Sequence, residues 1–142
     1  MSIESIDVLY TAVATAENGR DGRVASDDGK LDVVVNPPKE LGGSGAGTNP
    51  EQLFAAGYGA CFQGALGVVA RQQKADISGS RVTARVGLGK NGNGGFGIEV
   101  ALEVSIPNVD RATAEQLVEA AHQVCPYSNA TRGNIAVELS VV

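Results

Sequence analysis

The chain has 142 residues, with Lys+Arg 11 against Asp+Glu 16 and a formal net charge of −5. That balance excludes the clustered Lys and Arg that displace counterions from nucleic acid, and it supplies no basic patch for an anionic membrane surface. One His and two Cys are too few for a four-ligand structural zinc site, and the length fits a single domain over residues 1–142 with a core of its own, so an acidic soluble enzyme or binding module is expected.

The first residues, Met1-Ser2-Ile3-Glu4-Ser5-Ile6-Asp7, lack the charged and apolar regions of a secretory leader. With two Cys 64 positions apart rather than a dense disulfide framework, this points to the cytoplasm. In that compartment a cysteine pair is more often catalytic or redox-active than a static staple. Residues 8–16 are rich in strand formers. Asn18-Gly19-Arg20-Asp21-Gly22 holds two dipeptides that favour hairpin turns, and Asp27-Asp28-Gly29-Lys30 marks a second turn between strands at 23–26 and 31–35. The first third reads as a three-stranded antiparallel meander. Residues 36–50 carry four Gly and three Pro and read as a loop.

Asn49-Pro50-Glu51 opens a helix: Asn49 can cap it, Pro50 loses no hydrogen bond in the first turn, and Glu51 complements the helix dipole. The helix is expected to run to about Gln73. It contains 19 consecutive uncharged residues, Gln52 to Ala70, enough to span a membrane. Its Gly57, Gly59, Gly64 and Gly67 make it only mildly apolar, so the buried centre of a soluble fold is the better reading. Four interior glycines each cost about 1 kcal/mol relative to Ala, which predicts close approach by a neighbouring element.

Val82, Ala84, Val86 and Leu88 alternate, the turn Asn91-Gly92-Asn93-Gly94-Gly95 follows, and Phe96, Ile98, Val100, Leu102, Val104 and Ile106 alternate again. Asp110 caps a second helix with Ala114, Leu117, Val118, Ala121 and Val124 at helical spacing, and Cys125-Pro126 ends it. A last strand, Ile135 to Val141, reaches the C-terminus. The order βββ-α-ββ-α-β with antiparallel hairpins is α+β.

Five side chains could carry chemistry. Cys61, midway along the first long helix, is by default a small inert hydrophobe and becomes a nucleophile only with a cation nearby. Cys125 sits at a helix C-terminus, where the dipole disfavours a thiolate; if the two act together, Cys61 is the better attacker. His122 precedes Cys125 by three, which permits a Cys–His hydrolase dyad, although a surface histidine on an amphipathic helix is the plainer reading. Arg20 in its turn and Glu51 at its helix start match as guanidinium and carboxylate, though spacing alone does not pair them. Phe54, Tyr58, Phe62 and Leu66 surround Cys61 with apolar surface, either as core or as a pocket for an alkyl or acyl tail. The glycine run Gly42-Gly43-Ser44-Gly45-Ala46-Gly47 lacks the ending of a phosphate-binding loop.

Thr48-Asn49-Pro50-Glu51-Gln52-Leu53-Phe54-Ala55-Ala56-Gly57-Tyr58 with Ala60-Cys61-Phe62, and Ala121-His122-Gln123-Val124-Cys125-Pro126-Tyr127-Ser128-Asn129-Ala130-Thr131-Arg132-Gly133-Asn134, resemble the two cysteine motifs of the organic hydroperoxide resistance (Ohr) proteins of the Ohr/OsmC superfamily. Leu9-Tyr10-Thr11-Ala12, Gly19-Arg20-Asp21-Gly22, Lys39-Glu40-Leu41-Gly42-Gly43 and Gly94-Gly95-Phe96-Gly97 fit the same family. The resemblance implies an OsmC-like α+β fold in which antiparallel sheets wrap two central helices of an intertwined homodimer. It implies a thiol peroxidase that reduces organic hydroperoxides to alcohols. Cys61 would be the peroxidatic cysteine, Cys125 the resolving one, and Arg20 and Glu51 a network with the thiolate. Phe54, Tyr58, Phe62 and Tyr127 are the expected substrate contacts. No bound cofactor or metal is expected; the implied reductant is a dihydrolipoyl group on a lipoylated protein, with no nucleic-acid or membrane partner. A non-catalytic OsmC-like protein that binds a lipid-like ligand is the alternative.

Helix geometry adds one expectation. Glu51 and Cys61 are ten residues apart, about 15 Å along an unbroken helix and beyond the reach of a glutamate side chain. Either the helix breaks near its glycines or Glu51 serves the Cys61 of a second chain.

Overall fold

The computed structural model describes residues 5–142; Met1–Glu4, part of the segment in which no leader is read, lie outside the described residues. The chain divides into two compact units, one ending at Pro50 and the other running from Glu51 to Val142.

The first unit is the expected meander: β1 (Ala14–Glu17), β2 (Gly22–Ser26) and β3 (Asp32–Val35) form an antiparallel sheet in that order. β1 is shorter than the strand-forming run 8–16, and residues 6–10 leave apolar side chains uncovered, Leu9 being 97% exposed. In the β1–β2 turn Asn18 and Gly19 both take left-handed backbone, at φ 60° and 59°. A Cβ on Gly22 would lie 1.9 Å from the Glu17 carbonyl oxygen, so only glycine closes this turn around Arg20. The turn is tied to the end of β3, since Asn36 Nδ2 donates to Asp21 Oδ1 at 2.6 Å. Arg23 forks onto the Asp32 carboxylate at 2.7 and 2.6 Å. The glycine- and proline-rich loop, expected to hold no regular element, contains one 3-10 turn at Lys39–Leu41.

The second unit is built on α1 (Pro50–Gln73), which is continuous over 24 residues with bounds as expected. It is the one described helix long and apolar enough to cross a membrane. Its Tyr58, Phe62, Ala65, Leu66, Val69 and Ala70 are instead buried in one cluster with Val100, Leu102, Val104, Leu117, Val118 and Ala121. β4 (Arg81–Lys90) and β5 (Phe96–Ser105) form the expected hairpin, with Val82 opposite Val104 and Val86 opposite Val100. The inward face of β5 begins at Val100; Phe96, at the hairpin end, is exposed. α2 (Arg111–Val124) starts on Asp110, whose carboxylate accepts from the Thr113 amide at 3.3 Å.

Two features depart from the sequence reading. A short helix α3 (Pro126–Thr131) follows α2 directly, because Pro126 ends one helix and is a favourable first residue of the next. The last strand, β6 (Val137–Val141), pairs parallel to β5, where the resemblance implies antiparallel sheets, since two helices carry the chain back to the start of the sheet. The glycine expectation holds in part. A Cβ on Gly57 would meet the Tyr127 hydroxyl at 2.9 Å and one on Gly59 the Val82 carbonyl at 3.7 Å, while Gly64 faces open space.

Candidate active site

α1 carries Cys61 on its twelfth residue, and the α2–α3 junction carries Cys125. The packing of α1 against that junction brings their sulfurs to 3.4 Å, with the Cys125 thiol donating to Cys61. Both are free thiols, Cys125 fully buried and Cys61 half-buried. Burial pushes the Cys61 thiol above its ordinary value, the backbone N–H of Tyr127 pulls it down, and the neighbouring Cys125 raises it again. Burial and Cys125 outweigh the Tyr127 amide on α3, so the thiol stands above its ordinary value, whereas a peroxidatic thiol needs a lowered one.

Phe54, Tyr58 and Tyr127 form an aromatic group beside this pair, with ring centroids 5.6–6.0 Å apart. Tyr127 is 38% exposed and Phe54 half-buried, so these two offer surface to a ligand. Tyr58 and Phe62, named with them as substrate contacts, have no exposed surface and belong to the core cluster, as does Leu66. The Tyr58 hydroxyl is turned to α3, 2.8 Å from Ser128 Oγ and 3.0 Å from Thr131 Oγ1.

His122 is not the surface histidine that its spacing suggests. It is 9% exposed, with Nδ1 2.8 Å from Ser128 Oγ, and burial first, then the Arg132 charge, lowers its pKa below the ordinary value. Its Nδ1 is engaged by a hydroxyl and not by the Cys125 thiol, so the geometry gives a Cys–His hydrolase dyad no support. Ser128, Thr131 and the Tyr127 amide escaped the sequence reading. Spacing could have found Ser128, because positions 122, 125 and 128 fall three apart and place His, Cys and Ser on one side of the α2–α3 junction.

Arg20 lies in the β1–β2 turn of the first unit, and Glu51 in the first turn of α1. Because α1 is unbroken, the helix-break route from Glu51 to its own Cys61 is closed. Among the described residues no group of three or more His, Cys, Asp or Glu could hold a metal ion.

A family model described as OsmC-like protein matches residues 42–140. The chain is 56% identical over 136 residues to the organic hydroperoxide resistance protein of Xanthomonas axonopodis pv. citri, covering 94% of this chain and 95% of that one. It resembles the crystal structure of an organic hydroperoxide resistance protein from Elizabethkingia anophelis with a TM-score of 0.91 at 54% identity, covering 96% of this chain and 98% of that one. For the organic hydroperoxide resistance protein OhrB of Bacillus subtilis the TM-score is 0.87 at 48% identity, with 95% and 100% covered. With two buried-to-half-buried thiols in contact on this fold, the chain belongs to the OsmC-like family, among its organic hydroperoxide resistance proteins.

Proposed function

We propose that this protein acts in organic hydroperoxide resistance as a cysteine-based peroxidase, reducing alkyl and lipid hydroperoxides to alcohols with a dihydrolipoyl group as electron donor. The observation that carries this reading is the 3.4 Å approach of two reduced sulfurs from positions far apart in the chain. The Cys61 thiolate attacks the outer peroxide oxygen, the O–O bond breaks, and the departing alkoxide takes a proton to become the alcohol. Cys61 is left as a sulfenic acid, and Cys125 attacks its sulfur, forming a disulfide and releasing water. A dihydrolipoyl dithiol on a lipoylated protein reopens the disulfide by exchange. No bound metal or cofactor takes part.

Burial pushes the Cys61 thiol above its ordinary value, so the reaction needs a cation, and Arg20 is assigned that role: its guanidinium favours the thiolate and its N–H fork holds the peroxide. Glu51 orients that fork. With α1 unbroken, Glu51 stands about 15 Å along the axis from its own Cys61 and serves the Cys61 of a second copy. A homodimer is supported by the exposed Ala56, Ala60 and Gly64, four apart on the outer face of α1, where a second helix could approach closely. It is supported also by the uncovered apolar run Ile6, Val8, Leu9 and Tyr10. Phe54 and Tyr127 give the hydroperoxide tail an apolar seat. The reaction belongs in the cytoplasm, where the dithiol donor stays reduced.

Turnover of cumene hydroperoxide coupled to dihydrolipoamide tests the reading. The wild-type protein is expected to turn over with dihydrolipoamide and not with thioredoxin, and Cys61→Ser to abolish activity. A reduced wild-type protein that consumes no hydroperoxide would instead be a ligand-binding member of the family.

A further inference from the structure

Cys125 is the only residue between two helices: it closes α2 and opens α3 in extended backbone at φ −61° and ψ 121°. α3 has six residues, far below the ~12–15 at which an isolated helix becomes marginally stable in water. Its position therefore depends on what pins it. Three ties do so, each about one turn from a sulfur. Ser128 joins α3 to His122 of α2, Tyr58 of α1 meets both Ser128 and Thr131, and Arg132 Nη2 donates to the His122 carbonyl at 3.2 Å.

The protons of this network can be assigned by counting. Thr131 Oγ1 lies 3.3 Å from the Ser128 carbonyl, which can only accept, so the threonine proton is spent there. The 3.0 Å bond from Thr131 to Tyr58 then takes the tyrosine proton, and the 2.8 Å bond from Tyr58 to Ser128 takes the serine proton. With the Thr131 hydroxyl on that carbonyl, the remaining 2.8 Å bond takes a proton on His122 Nδ1; with that 3.3 Å contact unmade, the same three bonds run the other way, from Thr131 to an unprotonated Nδ1. The first arrangement makes all four bonds and the second only three, so the first is favoured: donation runs from His122 through Ser128 and Tyr58 to Thr131, with the neutral histidine as the Nδ1–H tautomer. Burial of the ring favours that neutral form.

We propose that His122 and Ser128 are positioning residues for the resolving step, their Nδ1–H-initiated hydrogen-bond chain holding the α2–α3 junction so that Cys125 meets oxidised Cys61. The proposal rests on the peroxidase reading for its catalytic consequence. In that step the Cys125 sulfur bonds to the Cys61 sulfur, the Cys61 S–O bond breaks, and the hydroxide leaves with the Cys125 proton as water. The sulfurs must close from 3.4 Å to ~2.05 Å, so a small displacement of the junction decides between resolution and attack by a second hydroperoxide, which makes the sulfinic acid.

The chain has one histidine, so nitrogen-15 NMR reads its tautomer without assignment. At about pH 8, above the ordinary imidazole range, Nδ1 is expected protonated and Nε2 unprotonated; the opposite pattern overturns the assignment. After limited hydroperoxide, mass spectrometry is expected to find about tenfold more sulfinic Cys61 per turnover in His122→Leu and Ser128→Ala, the effect of one lost buried hydrogen bond, with the first loss of the Cys61 thiol unchanged. His122→Asn, which keeps an N–H near the Nδ1 position, is expected within about twofold of wild type. Equal over-oxidation in the Asn and Leu variants, or none in Ser128→Ala, overturns the proposal. Ser128→Ala, which removes a single oxygen, serves if His122→Leu does not fold. Equilibration with a glutathione redox buffer needs no hydroperoxide: Ser128→Ala is expected to weaken Cys61–Cys125 disulfide formation about tenfold, and an unchanged equilibrium counts against the positioning role even if the wild type proves inert to hydroperoxides.

Discussion

At Cys61 two demands oppose each other. A sulfur half-buried beside Phe54, Tyr58 and Tyr127 suits an apolar hydroperoxide, yet the same burial holds the thiol above its ordinary value, away from the reactive thiolate. The Tyr127 amide offsets part of this, and the proposed role of Arg20 is to supply the rest. The sign follows directly: removing a cation disfavours the anion, so Arg20→Ala should move the pH profile of Cys61 alkylation to higher pH. Iodoacetamide labelling of a Cys125→Ser background measures this, and a profile that stays put removes Arg20 from the mechanism. Residue type and motif put forward Cys61, Cys125, Arg20 and Glu51 as candidates because their chemistry is intrinsic to the side chain. The burial of His122, Tyr58 and Phe62 could not, since it depends on what packs against them from other elements.

Element boundaries followed local rules closely. α1 runs from Pro50 to Gln73 because a proline at its start and an apolar run without a breaker say so locally, and β5 alternates because one face meets the core. α2 begins where Asp110 can accept the Thr113 amide. Asp110→Ala leaves that amide unpaired and should cost about 1 kcal/mol of stability, within the usual range for N-caps, as read by urea unfolding. The two misread elements have equally definite reasons. A proline that ends one helix can start another, so Pro126 hid α3. The direction of β6 depends on how α2 and α3 return the chain to the sheet, and the alternation of Val137, Leu139 and Val141 is the same for parallel and antiparallel pairing.

At the scale of the whole molecule, the proposed second copy can be tested through the site it completes. A Cys61→Ser chain and a Glu51→Ala chain are each expected to be inactive alone. Co-expressed at equal levels, they should recover about a quarter of wild-type activity, since half the dimers are mixed and each mixed dimer holds one intact site of two. No recovery in isolated heterodimers would place Glu51 outside the partner's site. The sequence by itself determined the two long helices, the β4–β5 hairpin, the α+β class, the turn around Arg20 and the chemical candidates, because these follow from periodicities, caps and motifs that act over a few residues. Only the tertiary structure decided that two sulfurs 64 positions apart lie 3.4 Å from each other, that β6 runs parallel to β5, and that His122, Ser128 and Tyr58 are joined by hydrogen bonds. Each of those is a meeting of distant segments, and it is the burial of α1 against the sheet and the α2–α3 junction, not any local preference, that brings them together.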